Sequence, residues 1–104
     1  MDQTIWKFTV DVDDVQTIEM PRGAVLLTVQ TQVNHVSIWA TVQTQVNHVS
    51  IWAMVDPRAP VVNRVIQMAG TGHDLSNRIM GPYVGTFQVA NGALVFHVFD
   101  GGEE

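Results

Sequence analysis

The chain contains no cysteine and little charge. Its 104 residues include five Lys and Arg against ten Asp and Glu, a formal net charge of −5. Without cysteine, disulfide frameworks and thiolate metal sites are excluded. Without a basic surplus, attachment to DNA by nonspecific phosphate attraction is not expected, although a few local donors can still hold one small anion. No apolar run approaches the ~20 residues of a membrane helix. The amino-terminal MDQTIWKF has an early acid and no apolar core, so no secretory signal is expected. Absent too is any convincing 3.6-residue period, which removes amphipathic helices. The chain is therefore expected to be a soluble, intracellular, single-domain protein whose 46% apolar content suffices for one core.

Val, Thr, Ile and aromatic residues alternate with polar ones, punctuated by Gly, Pro, Asn and Asp. The pattern predicts an all-β domain over residues 1–104, a small antiparallel sandwich or barrel of about seven or eight strands. Ile5–Val12 places Trp6, Phe8, Val10 and Val12 on one face. Val15–Met20 follows the turn at Asp13-Asp14 and ends at Pro21–Gly23. Ala24–Gln32 carries Val25, Leu27 and Val29 on one face. Val61–Ala69 precedes a polar loop, Gly70–Ile79. Tyr83–Val89 and Ala93–Phe99 flank Ala90-Asn91-Gly92, and Asn-Gly between two alternating runs is the strongest short hairpin signal here. Gly101–Glu104 reads as a frayed tail.

The largest feature present is a perfect tandem repeat. Thr28–Ala40 reads TVQTQVNHVSIWA, and Thr41–Ala53 repeats it unchanged. Two copies are too few for a repeat array with its own continuous core. Turns are predicted at Val33–Asn34–His35 and Val46–Asn47–His48, with Val36–Gln45 running through the junction as one strand and Val49–Val55 following. Val36, Ile38, Ala40, Val42 and Thr44 then share one face, and Trp39, Thr41, Gln43 and Gln45 the other. That reading adds one strand and reverses the direction of everything downstream. It therefore predicts an extended hairpin that pairs or swaps between protomers, giving a homo-oligomer.

Gly70-Thr71-Gly72-His73 is the most site-like stretch. Its glycines let backbone N–H groups approach an oxyanion, and Thr71 and His73 add side-chain donors. The competing reading is a tight loop requiring positive φ. Arg64 and Arg78 flank this loop and are the better phosphate candidates among Lys7, Arg22, Arg58, Arg64 and Arg78, against the plainer reading of scattered surface charge. Trp6, Trp39, Trp52 and Tyr83 can stack a base or fill core and interface positions. His35, His48, His73 and His97 lack metal-ligand spacing. Asp11, Asp13, Asp14 and Asp100 make no evident acid pair. No nucleophile or cofactor motif accompanies them, so an enzyme is not expected.

IEMPRGAVLLTVQ at Ile18–Gln30, IWAMVDP at Ile51–Pro57, GTGH at Gly70–His73, YVGTFQ at Tyr83–Gln88 and GALVFHVFD at Gly92–Asp100 occur in that order. With either repeat copy set aside, this series resembles a family of small bacteriophage proteins. The second copy is the departure from that pattern. The resemblance implies a phage immune-evasion protein of the anti-CBASS sponge type. Such a protein is a small oligomeric β protein in the cytoplasm of the infected bacterium that sequesters a cyclic di- or trinucleotide without chemistry or cofactor. On that reading Arg64, Gly70, Thr71, Gly72, His73, Arg78 and Tyr83 bind the ligand in pockets between protomers. The rival reading is a structural or interaction module that binds a host or phage protein through sheet edges.

Overall fold

The computed structural model describes residues 2–37, 43–89 and 92–104, with residues 33–37 and 43–47 described by backbone alone. The described residues form seven strands and no α-helix: β1 Thr4–Val10, β2 Val15–Pro21, β3 Val25–Ser37, β4 Gln43–Val55, β5 Val61–Gly70, β6 Tyr83–Val89 and β7 Leu94–Glu103. All pairings are antiparallel, in one sheet of order β1-β4-β3 and another of order β2-β5-β7-β6. The predicted all-β fold is therefore the fold observed.

The two sheets meet on a core supplied by both. Val10, Val29, Val49 and Ile51 from the first pack with Ile66, Met68, Phe87 and Val98 from the second. Each such side chain contributes ~1.5–3 kcal/mol by leaving water. A second cluster, Met20, Ala24, Ala53 and Val55, closes the end where β2 turns into β3. Strict alternation fails within β3. Val29 is buried, but Val25 and Leu27 are exposed, because the register against β4 shifts between Leu26 and Thr28. One extra residue at this bulge changes the phase, so Leu26 and Val29 face inward instead. Val12 likewise leaves the predicted inward row: β1 stops at Val10, and Val12 is exposed.

The repeat behaves differently from its predicted two-turn form. Its copies pair with each other as opposite arms of one hairpin, from Thr28↔Trp52 to Ser37↔Gln43. Val33, Asn34 and His35 lie within β3, and Val46, Asn47 and His48 within β4. Val36 faces Thr44 and His35 faces Gln45, so Val36–Gln45 is not one strand of this hairpin. The positions predicted for Ile38, Trp39, Ala40, Thr41 and Val42 lie outside the described residues.

The register explains the outcome. Gln30↔Ser50, Thr31↔Val49 and Gln32↔His48 recur farther out as Ser37↔Gln43, Val36↔Thr44 and His35↔Gln45, with the arms exchanged. A single copy making these pairs with itself would turn at Val33-Asn34, inside the predicted turn Val33–Asn34–His35. A second copy offers the same pairs to the first, and thirteen residues are shared between two arms rather than added as a strand. The downstream direction is preserved, and the reversal argument does not apply. β1 accompanies β4 only to Val10↔Val49. Beyond it, Gln32–Ser37 and Gln43–His48 form a ribbon without a third strand among the described residues. The radius of gyration, 15.5 Å, exceeds the ~13 Å of a compact domain of about 100 residues, as such an extension requires.

The carboxyl end is also more ordered than its composition predicted. β7 continues to Glu103, with Arg64 opposite Glu103, and Glu104 N donates to Asn63 O at 2.9 Å. Arg64 is buried, and a buried guanidinium needs paired charge. Its Nε and Nη2 donate to Asp100 Oδ1 and Oδ2 at 2.9 and 2.6 Å. Glu103 Oε2 lies 3.5 Å from Arg64 Nη1 and accepts from Gly23 N at 2.6 Å. The acidic residues of the supposed tail thus anchor it.

Candidate functional site

At the end of β5 the chain turns sharply through Gly70–His73. Thr71 N donates to Val95 O at 3.0 Å, extending the β5–β7 pairing past Gly70. His73 N donates to Gly70 O at 3.0 Å, and Gly70 N donates to His73 Nδ1 at 3.2 Å. These three amides are therefore occupied within the fold and do not form the predicted oxyanion cradle. Both glycines have local reasons. A Cβ at Gly70 would stand 2.8 Å from the His73 ring, and Gly72 has φ +89°.

The motif divides its side chains between two environments. His73 presents its ring at 6.5 Å to Phe96 in an edge arrangement. It lines a hollow of about 360 Å³ with Gly70, Thr71 and Ala93–Phe96. Thr71 instead reaches the face of the sheet turned away from the core. There its Oγ1 lies 2.8 Å from His97 Nε2, while His97 Nδ1 lies 3.0 Å from Thr86 Oγ1. Thr86 Oγ1 also bonds the Tyr83 hydroxyl. Tyr83, Thr86, His97 and Thr71 thus make one hydrogen-bonded row across β6, β7 and the β5 end.

The row has a definite polarity for a neutral imidazole, which donates at one nitrogen and accepts at the other. If Tyr83 donates to Thr86 and Thr86 to His97 Nδ1, then His97 Nε2 donates to Thr71. The Thr71 hydroxyl proton is left to point outward. The opposite tautomer reverses every step. Tyr83 is 61% exposed, and its ring is braced by an edge contact with Phe99 at 5.9 Å. A fixed aromatic face therefore stands beside a row of ordered donors and acceptors.

Two members of this row, Thr86 and His97, are absent from the site predicted by sequence. Their signal is the hairpin register. From Val89↔Leu94, regular counting reaches Thr86↔His97. Only the shift between Tyr83 and Gly85 disturbs the pattern and brings Tyr83 opposite Phe99.

Other predicted groups have different surroundings. Arg64 is held by Asp100 and Glu103 on the side of β5 occupied by buried Ile66 and Met68, away from Thr71. The Arg64 guanidinium, hydrogen-bonded to Asp100, holds that carboxyl below the usual range, and the same bond raises Arg64. Arg78 Nη1 and Nη2 donate to Met68 O and Asp14 O at 3.0 and 2.9 Å, tying its loop to β5 and the β1–β2 turn. Gln67 adds a donated bond to Ile79 O at 2.8 Å and accepts from Gly81 N at 2.9 Å.

Lys7 donates to Gln32, and Arg58 lies beside Asp56. Trp6 is partly exposed and tilts against Phe8, while Trp52 lines an apolar hollow with Ile5, Leu27, Thr28 and Gln30. Trp39 falls outside the described residues. Among the described residues, no group of three or more His, Cys, Asp or Glu is placed to hold a metal. Asp100 belongs to Arg64, while Asp13 caps Asp14 N in the β1–β2 turn.

A sequence model for a domain of unknown function, DUF7352, matches residues 1–104. No curated protein and no solved structure matches the chain.

Proposed function

We propose that this chain, which belongs to the DUF7352 family, is a non-enzymatic phage immune-evasion protein that sequesters a cyclic nucleotide defence signal. The observation carrying this reading is the exposed Tyr83 ring beside the Thr86–His97–Thr71 row. Base–aromatic stacking is worth ~1–3 kcal/mol per base, and the adjacent hydroxyls and imidazole can read a base edge or a ribose. Arg78 is proposed as the phosphate-binding cation, since its two carbonyl contacts use only part of a five-donor guanidinium. Arg64 is not assigned to the site, because drawing it onto a phosphate would strand Asp100 and Glu103. Binding asks no bond-making of these groups, and no carboxylate joins the His97 row among the described hydrogen bonds.

The test is thermal unfolding against a panel of cyclic di- and trinucleotides. A ligand at a hundredfold excess over Kd stabilises the native state by ~2.7 kcal/mol, so a resolved rise in Tm is expected for at least one nucleotide. Tyr83→Ala should weaken that ligand about 5- to 150-fold, the equivalent of one lost stacking contact. An unchanged Tm across the whole panel sinks the proposal.

A second reading, an interaction module working through sheet edges, draws on the ribbon beyond Val10↔Val49. It predicts no nucleotide response and stoichiometric binding of a host or phage protein that is lost when the ribbon is removed.

A further inference from the structure

We infer that two copies of this chain exchange halves through the repeat. In the exchanged pair, Thr28–Trp52 of each copy runs as one strand antiparallel to the same segment of the other. This inference rests on the hairpin alone and is independent of nucleotide binding.

The first observation is the symmetry of the register. Every pair from Thr28↔Trp52 to Ser37↔Gln43 is centred on position 40. Each can be made without change between two chains, Thr28 of one opposite Trp52 of the other and the reverse. The strands β1–β3 of one copy then complete a body with β4–β7 of the second, and every core contact is kept. This is the general route by which a hinge segment opens into a swapped dimer.

The second is the chemistry of the segment between the arms. Ser37–Gln43 reads SIWATVQ, without the Gly, Pro, Asn or Asp that tight hairpin turns use. Ile, Trp, Thr and Val prefer extended backbone. A single copy would reverse at Val33-Asn34, where an Asn is available. With two copies, the segment joining the arms has a composition suited to continuing as strand. In the exchanged pair the arms pair between two chains, and no tight reversal is needed.

The third is the lack of protection. Thr28–Ala53 contains no Lys, Arg, Asp, Glu, Pro or Gly. These residues are among the usual means of keeping strands from pairing with another chain. The ribbon also lacks a third strand beyond Val10↔Val49 among the described residues. A two-stranded hairpin without support is at best marginal in water, so little opposes its opening.

The experiment is light scattering on the purified full chain after refolding at low and high concentration, beside three sets of variants. Two-chain species are expected for the full chain. Deleting Thr41–Ala53 should give single chains, because the remaining copy can close at Val33-Asn34. Ala40→Asn with Thr41→Gly keeps the length and supplies a three-residue turn, so it should shift the balance at least tenfold toward single chains.

The sequence has no cysteine, which makes cross-linking specific. H35C and Q45C chains, refolded together, should form the mixed disulfide, because His35 and Gln45 are register partners. A full chain that stays single after refolding at high concentration overturns the inference. So does association that survives the deletion, or disulfides only between H35C chains, which would mean stacking of closed hairpins.

Discussion

Arg64 is the basic residue most tightly built into the fold. Its guanidinium is buried and paired with Asp100 through two hydrogen bonds, with Glu103 beside it. Removing one partner leaves the other buried without its counter-charge, a larger loss than the pair's net worth. Asp100→Asn is therefore expected to lower stability by about 1–3 kcal/mol, allowing for partial exposure of the carboxylate. Urea unfolding at neutral pH measures it.

The pH dependence has a definite sign. Hydrogen bonding to Arg64 places the folded-state pKa of Asp100 below its ordinary 3.8. Its stabilisation is then complete above that value and is lost as pH falls through the lower folded one. The native protein should lose stability across that acid range, and Asp100→Asn should show a shallower loss. Equal acid slopes for the two proteins would rule the linkage out. At this scale the sequence was only partly legible. Arg64 was recognisable as a scarce cation, but its partner lies 36 residues away, and only strand register brings them together.

At the scale of elements, the hairpins record how far local chemistry reaches. β6 and β7 were predicted on either side of Asn91-Gly92, and the paired strands occupy Tyr83–Val89 and Leu94–Glu103. Alternation carried that prediction through Phe99, whereas Asp100–Glu103 joined the strand for a tertiary reason, the pairing with β5 and the charge on Arg64. Truncation before Gly101 tests this directly. A frayed tail would leave Tm unchanged. The observed pairing predicts a clear fall in Tm, because Glu103 would no longer serve Arg64 and Gly23. The β3–β4 hairpin shows the converse case. Turn propensity at Asn34 and Asn47 was real, but longer pairing between identical copies overrode it.

At the scale of the whole molecule, stability is unevenly distributed. Core side chains come from both sheets around Ile51, Ile66, Met68 and Val98, whereas the outer ribbon has no third strand paired to it among the described residues. Local opening should follow that division. In single chains, amides of Gln32–Ser37 and Gln43–His48 are expected to exchange hydrogen much faster than those of β5 and β7. Equal protection in both regions of a verified single chain would contradict this account. Alternation, turn residues and the absence of a helical period were enough to determine an all-β chain and most strand positions, because these depend on neighbours along the chain. Tertiary structure alone decided that the repeats become two arms, that Arg64 belongs to Asp100, and that Thr71, His97, Thr86 and Tyr83 form one row. Each of those outcomes depends on which distant strands lie side by side and in what register.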